Sequence, residues 1–310
     1  MENPDFFCTT KQFPAVTWGA TGGLIGGIPK ICGGYTQTNV KEERFSQACY
    51  ALLPNGKSWS WKRDGATLSK GRKFISSGSL VVNNELVIAG GKDLDGLSTS
   101  IEVVRHDVRH CDATKLENIE LPTKTYRSCI VPWDADTFMV IGGKPIDDWH
   151  STNLQSTTYF INTNEGTVTK GPELLNARSN HACSELIVDG EEFIVVTGGQ
   201  GLEKSVQKST EYLSKAYLSK NDGWQEGAYL PVSIYDHQMV SSPDKQFVYT
   251  IGNEHQGSNK VIFKTIFKYT CPNNDIKKCQ WNKIETKLKY GRERLVAFAI
   301  PNDLANMICQ

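Results

Sequence analysis

The stretch Glu191 to Leu213 reads EEFIVVTGGQGLEKSVQKSTEYL. A β-branched apolar run, Phe193 to Thr197, ends in Gly198-Gly199. A polar loop follows, and Ser209 to Leu213 opens a second extended run. The same unit recurs as Pro29 to Leu52 (PKICGGYTQTNVKEERFSQACYAL), Glu85 to Val104 (ELVIAGGKDLDGLSTSIEVV) and Thr137 to Phe160 (TFMVIGGKPIDDWHSTNLQSTTYF). A fifth copy, Phe247 to Tyr269 (FVYTIGNEHQGSNKVIFKTIFKY), has Gly252-Asn253 at the glycine pair. The second residue of each pair stands at Gly34, Gly91, Gly143, Gly199 and Asn253, in steps of 57, 52, 56 and 54 residues.

A near-constant period of this size, built of short strands, predicts an all-β propeller. One further step lands near the C-terminus, where Asn306-Met307-Ile308-Cys309 resembles Pro29-Lys30-Ile31-Cys32. The reading is therefore six blades in one domain spanning residues 1–310. The last blade would have two strands of its own, Leu295 to Pro301 and Asn306 to Gln310. An N-terminal strand, Asp5 to Thr10, would complete it and remove an exposed sheet edge. No sustained 3.6-residue apolar period argues for helices. The pairs Asn83-Asn84 and Asp189-Gly190 predict hairpin turns.

The glycine pair after an apolar strand, the basic residue upstream and the Trp or Gly-Pro before that resemble kelch repeats, over nearly the whole chain. The tyrosine-aspartate-proline turn of intracellular ubiquitin-ligase adaptors is mostly missing. Cysteine placement is more similar to secreted kelch-like proteins of invertebrates. The resemblance implies a binding scaffold rather than any one activity, because propellers host many functions.

Lys plus Arg equals Asp plus Glu at 34 each, which argues against a nucleic-acid binder. No apolar run reaches a membrane-spanning length. MENPDFFCTT has neither the basic nor the apolar region of a signal peptide, so the chain reads as intracellular or as a mature form with an added Met. Eight of the nine cysteines fall into four pairs that make geometric sense in the repeat. Cys32 and Cys49 lie on neighbouring strands, and Cys271 and Cys279 flank one turn. Cys129 and Cys183 sit on successive inner strands, and Cys8 and Cys309 lie at the two ends to be closed. Cys111 is left over and could join two chains. These pairings favour an oxidising, extracellular compartment over the cytoplasm, with buried thiols as the alternative. The absence of an Asn-x-Ser/Thr sequon weighs mildly against secretion.

Arg72, Arg127, Arg178 and Arg292, with His237 in the fifth unit, precede the inner strands. Four guanidiniums at one channel mouth would receive carboxylates of a partner, or would instead tie down backbone carbonyls. The loops after the glycine pairs, including Lys92-Asp93-Leu94-Asp95 and Gln200 to Lys204, carry recognition on a rigid scaffold, and Trp149 is an anchor candidate. His106, His110 and Cys111 lack a second ligand pair, so no metal is expected. No phosphate loop, GxSxG elbow or copper-oxidase pattern is present, so neither cofactor nor catalytic residue is assigned. The expected function is non-enzymatic binding of a protein through loops at one mouth, without nucleic acid or membrane insertion. Two alternatives stay open: a cullin-adaptor or actin-binding propeller, and an enzyme with a channel-mouth site.

Overall fold

The computed structural model describes residues 13–14, 17–36, 44–56, 58–73, 81–82, 84–106, 111–146, 153–217, 222–252, 254–256, 259–261, 264–288 and 295–308. Five four-stranded antiparallel sheets follow one another along the chain as the blades of a β-propeller. Blade 1 holds Thr21–Ile25, Ile28–Cys32, Ala48–Asn55 and Ser58–Thr67. Blade 2 holds Val81–Val82, Glu85–Ala89, Ser100–His106 and Cys111–Glu120. Blade 3 holds Cys129–Pro132, Thr137–Gly143, Gln155–Asn162 and Thr167–Lys170. Blade 4 holds Ala182–Val188, Glu191–Thr197, Thr210–Ser214 and Gln225–Gly227. Blade 5 holds Gln238–Ser241, Val248–Ile251, Thr265–Thr270 and Gln280–Lys287. Each blade is a meander. Its first-to-second and third-to-fourth turns lie on one side of the propeller, here called the hairpin face. The second-to-third loops and the connections between blades lie on the other, the loop face.

The second strands of blades 2 to 4 are apolar at consecutive positions because both of their faces are covered. Val87 and Ala89 pack towards blade 3, and Leu86 and Ile88 towards blade 1. Phe138 and Val140 meet blade 2, while Met139 and Ile141 meet blade 4. Ile194 and Val196 meet blade 3, while Phe193 and Val195 meet blade 5. The two-residue period of a strand thus supplies both blade interfaces. Outer-strand tryptophans reach back to the preceding blade. Trp224 Nε1 donates to Pro172 O at 3.0 Å, and Trp281 Nε1 to Thr210 Oγ1 at 2.9 Å. The predicted turns form: Asn84 has φ 63°, and Asp189 and Gly190 have φ 52° and 77°.

The expected sixth blade is not among the described residues. Asn302–Ile308 is a helix, not a strand. Asn302 and Asp303 suit a helix start, Ala305 N donates to Pro301 O, and Leu304 and Ala305 are buried. Residues 295–300 belong to no sheet. Leu295 and Ala297 pack on blade 5, whereas Val296 lies against Gly22 of blade 1. The sector between blades 5 and 1 is therefore bridged by one alternating segment, which explains why it read as a first strand. The expected N-terminal strand lies outside the described residues.

Three disulfides, Cys32–Cys49, Cys129–Cys183 and Cys271–Cys279, are formed as read from the sequence. Cys129 pairs with Ile141, on the side facing blade 4, and Cys183 with Val196, on the side facing blade 3. That one-residue offset turns the two thiols towards each other. Cys8 and Cys309 lie outside the described residues. The three bridges are compatible with an extracellular location. Among the described residues no helix is long and apolar enough to cross a membrane.

Candidate functional site

The glycine pairs fix the register between blades. The second glycine donates its N–H across the blade boundary: Gly34 to Arg72 O, Gly91 to Thr125 O, Gly143 to Arg178 O and Gly199 to Ile234 O, at 2.7–2.9 Å. A side chain cannot replace them. Gly198 and Gly199 have φ 64° and 96°, and a Cβ would stand 2.6 Å from Ile234 O and 2.7 Å from Ser179 O.

This register makes Arg72, Thr125, Arg178 and Ile234 equivalent. Arg127 and His237, grouped with Arg72 and Arg178 in the sequence, therefore occupy other positions, two and three residues further on. The arginines are also not on the surface. Arg178 is 0% exposed. Its Nη1 donates to Gly198 O and Ser209 O at 2.9 and 3.2 Å, and its Nη2 to Glu211 Oε1 at 2.5 Å. Arg72 repeats the pattern, with Nη1 on Gly90 O at 3.1 Å and Nη2 on Glu102 Oε2 at 3.1 Å. Burial lowers the pKa of both guanidiniums, and Glu211 and Glu102 oppose it. Each arginine thus closes a glycine turn from within its own blade. A partner-binding ring of arginines is corrected on this ground: a guanidinium so enclosed cannot meet a second protein.

Where the arginine changes, its partner changes with it. Blades 2 and 4 have Arg72 with Glu102 and Arg178 with Glu211. Blade 3 has Thr125, and Tyr159 at the register position of the glutamate. Blade 5 has Ile234 and Phe267, packed in one apolar cluster. Glu102 and Glu211 escaped the sequence reading, although each lies 11 or 12 residues after its glycine pair.

Arg127 and His237 belong to a second buried set. Arg127, Asn180 and Asp236 are equivalent, and all have left-handed φ, between 53° and 59°. Asn180 N donates to Arg127 O and Asp236 N to Asn180 O. Arg127 Nη1 donates to Asn180 Oδ1, whose Nδ2 donates to Asp236 Oδ1. A belt thereby crosses three blades. The next residues, His181 and His237, are fully buried, and each ring presses its Cε1 on the first glycine of the preceding blade, Gly142 and Gly198. Burial pushes His237 down to about 3 and His181 well below the ordinary imidazole value. These residues hold blades together and do not face a partner. Arg292 and Trp149 lie outside the described residues.

Among its exposed residues the loop face presents a set of large apolar side chains. In blades 2, 3 and 4 the residue after the glycine pair is paired back to a blade connection: Lys92 with Lys73, Lys144 with Tyr126, Gln200 with Ser179. Two residues further on stand Leu94, Ile146 and Leu202. The connections add Leu175 and Tyr229. All five are 44–59% exposed. Among the described residues only one other large apolar side chain is comparably open, Met307 on the terminal helix. At blade 1 the corresponding loop base is aromatic, and Lys73 Nζ lies 4.2 Å from the Tyr35 ring and 5.2 Å from those of Trp18 and Phe45.

The hairpin face carries a groove of about 920 Å³ lined from blades 2 to 5, with Trp133, Asp134, Glu185, Glu192, Lys215 and Lys245 among its walls. The residues that shape it come from first-to-second turns, with Lys215 and Ala216 from the third-to-fourth turn of blade 4; the sequence reading placed the Asp189-Gly190 turn but gave these turns no functional role. Among the described residues no three His, Cys, Asp or Glu side chains gather as metal ligands.

No protein-family model and no curated protein matches the chain. The solved structure of YjhT is similar in fold, with a TM-score of 0.68 at 13% identity over 88% of this chain and 86% of that one. The likeness at this identity is one of architecture: the chain is an all-β propeller.

Proposed function

We propose that this propeller is a non-enzymatic protein-interaction module of kelch type that acts outside the cell and binds its partner across the loop face. The observation that carries this reading is the row Leu94, Ile146 and Leu202, repeated at one offset on three successive blades and left open to solvent. Leu175 and Tyr229 widen the row on the same face. Singly exposed apolar residues are ordinary, whereas a grouped set on one face marks an interaction surface. The paired loop bases limit the entropy lost when such loops are covered. Three disulfides suit an oxidising compartment. Partner contacts thus move from the arginines to the aliphatic loop tips.

The test is quantitative capture from the extracellular fluid of the source organism. Immobilised wild type is compared with the triple variant Leu94→Ser, Ile146→Ser, Leu202→Ser. These tips touch no core, so the variant keeps its melting temperature, and the partner's recovery falls at least about tenfold, the equivalent of roughly 1.4 kcal/mol. Equal recovery by both proteins would sink the reading.

A further inference from the structure

The charge of this neutral chain is unevenly placed. Lys plus Arg equals Asp plus Glu at 34 each over the whole sequence, yet residues 260–294 carry ten basic and three acidic residues. The compensating acids lie elsewhere: residues 101–200 carry eight basic and fifteen acidic residues. The basic excess falls on the last two strands of blade 5 and the chain around them.

The structure turns much of this excess outward. Gln280–Lys287 is the outermost strand of its blade, and its Lys283 and Lys287 are exposed. Lys277 and Lys278 stand exposed in the turn that enters the strand. Lys264 stands exposed beside the far end, where Leu288 N donates to Lys264 O at 2.9 Å. The strand runs about 23 Å at about 3.3 Å per residue, so the ammonium groups form a row along one edge. Two lysines of the region are engaged: Lys278 Nζ lies 3.3 Å from Asp275 Oδ2, and Lys268 Nζ lies 3.9 Å from the Phe247 ring. Lys264, Lys277, Lys283 and Lys287 make no ion pair with any described residue.

Lysines also keep an exposed sheet edge from pairing with another chain, but that task needs charge, not an excess of one sign. The other long outer strands mix their signs. Ser58–Thr67 sets Lys62 and Arg63 beside Asp64, and Cys111–Glu120 sets Lys115 among Asp112, Glu117 and Glu120. A row of ammonium groups without neighbouring acids is instead the footprint of a polyanion. What accompanies the charge narrows the class. Phe267, Tyr269 and Trp281 of these two strands are buried, so they offer a nucleic-acid base no stacking platform. No large apolar side chain between residues 264 and 288 is exposed, so nothing on this flank enters a bilayer. A polysaccharide bearing sulfates needs only point charges in a row, which lysine supplies.

We infer that the outer flank of blade 5 binds a linear sulfated polysaccharide through Lys264, Lys277, Lys283 and Lys287. The choice of polyanion rests on the extracellular setting proposed above; the surface itself is independent of the loop face.

The test is heparin binding by the oxidised full chain, measured by fluorescence titration in salt from about 50 to 200 mM. Wild type binds with Kd below about 10 µM at the low end, and fully desulfated heparin does not bind. Four neutralised sulfates make log K fall with log salt at a slope of about −3, a loss of roughly sixtyfold across this range. The variant Lys264→Gln, Lys277→Gln, Lys283→Gln, Lys287→Gln flattens that slope by about 3 and weakens low-salt binding at least about thirtyfold. The variant Lys62→Gln, Lys124→Gln, Lys170→Gln, Lys208→Gln removes the same net charge from exposed positions on other blades and keeps at least about a third of the affinity. All eight positions are exposed, so both variants keep the wild-type melting temperature. Glu285→Gln removes the one acid of the outer strand and tightens binding about twofold. The loop-face triple variant binds heparin like wild type, so failure here and failure of the loop-face reading are separate results. No saturable heparin binding, equal weakening by the two lysine variants, or equal binding of the desulfated chain would overturn the assignment. Tighter binding of a thymidine oligonucleotide or of phosphatidylserine vesicles would overturn it as well, in favour of nucleic acid or a lipid surface.

Discussion

Replacing Arg178 with isoleucine tests the claim that the repeated arginines are internal ties. The substitution removes five hydrogen bonds: Nε to Asn176 O, Nη1 to Gly198 O and Ser209 O, and Nη2 to Ser209 Oγ and Glu211 Oε1. Glu211 keeps the donors Leu175 N, Asn176 N and Asn176 Nδ2, yet its carboxylate is left buried without a cation. Breaking a buried pair from one side costs about 3–5 kcal/mol. For a chain of this length that corresponds to a fall in Tm of roughly 5–8 °C. Blade 5 shows the remedy, because it carries Ile234 and Phe267 at the same two positions. The double variant Arg178→Ile, Glu211→Phe copies that pair and recovers at least half of the loss, with a coupling of about 2 kcal/mol or more, since well-packed apolar residues often match a buried ion pair. The assay is a four-protein cycle of denaturant midpoints on the oxidised protein. A single variant that loses under about 1 kcal/mol would refute the reasoning, as would a double variant no better than the sum of the singles.

Two further outcomes follow from the blade interfaces. His237 folds neutral with a pKa of about 3, against about 6.5 when unfolded, so its contribution is fully present above pH 6.5 and is lost as pH falls towards 3. Between pH 6.5 and 4.5 the loss reaches roughly 2–3 kcal/mol, and denaturant midpoints of His237→Asn against wild type should show a flatter acid limb in the variant; parallel limbs would count against it. The Cys129–Cys183 bridge closes 54 residues across the boundary of blades 3 and 4. Replacing both cysteines with serine lowers stability by about 4 kcal/mol in the chain-entropy account, and a change under about 1 kcal/mol in midpoint would contradict it.

The propeller was legible because its signal is covalent and periodic. A glycine pair is required where a turn with positive φ meets a neighbouring backbone, as at Gly198-Gly199, so it recurs in the sequence at blades 1 to 4, with Gly252-Asn253 in its place at blade 5. The disulfides were legible for the same reason: strand position and side-chain alternation bring Cys129 to Cys183. The sixth blade misread because Leu295, Val296 and Ala297 alternate like a strand although they serve two blades without sheet pairing. Asn306 to Cys309 shares two letters, Ile and Cys, with the strand Pro29 to Cys32, but Asn302, Asp303 and the spacing of Leu304 and Ile308 suit a helix. The site misread for a different reason. Basic character alone grouped Arg127 and His237 with Arg72 and Arg178, whereas the hydrogen-bond register groups Thr125 and Ile234 with them. Burial of the arginines depends on Glu102 and Glu211, one strand away, and no local pattern reports that. The exposed row was present in the sequence as an aliphatic residue three places after Gly91, Gly143 and Gly199; exposure was what the letters lacked.

The most direct measurement for the recognition claim is site-specific photocrosslinking. A photoreactive phenylalanine analogue is placed in turn at Leu94, Ile146 and Leu202 on the loop face, and at Asn55 and Asp189 on the hairpin face, and each protein is irradiated in its native fluid. Discrete adducts of one common protein from the three loop-face positions, with none from the hairpin face, are the expected result. Adducts from the hairpin positions alone, or none from any loop tip, would contradict the account.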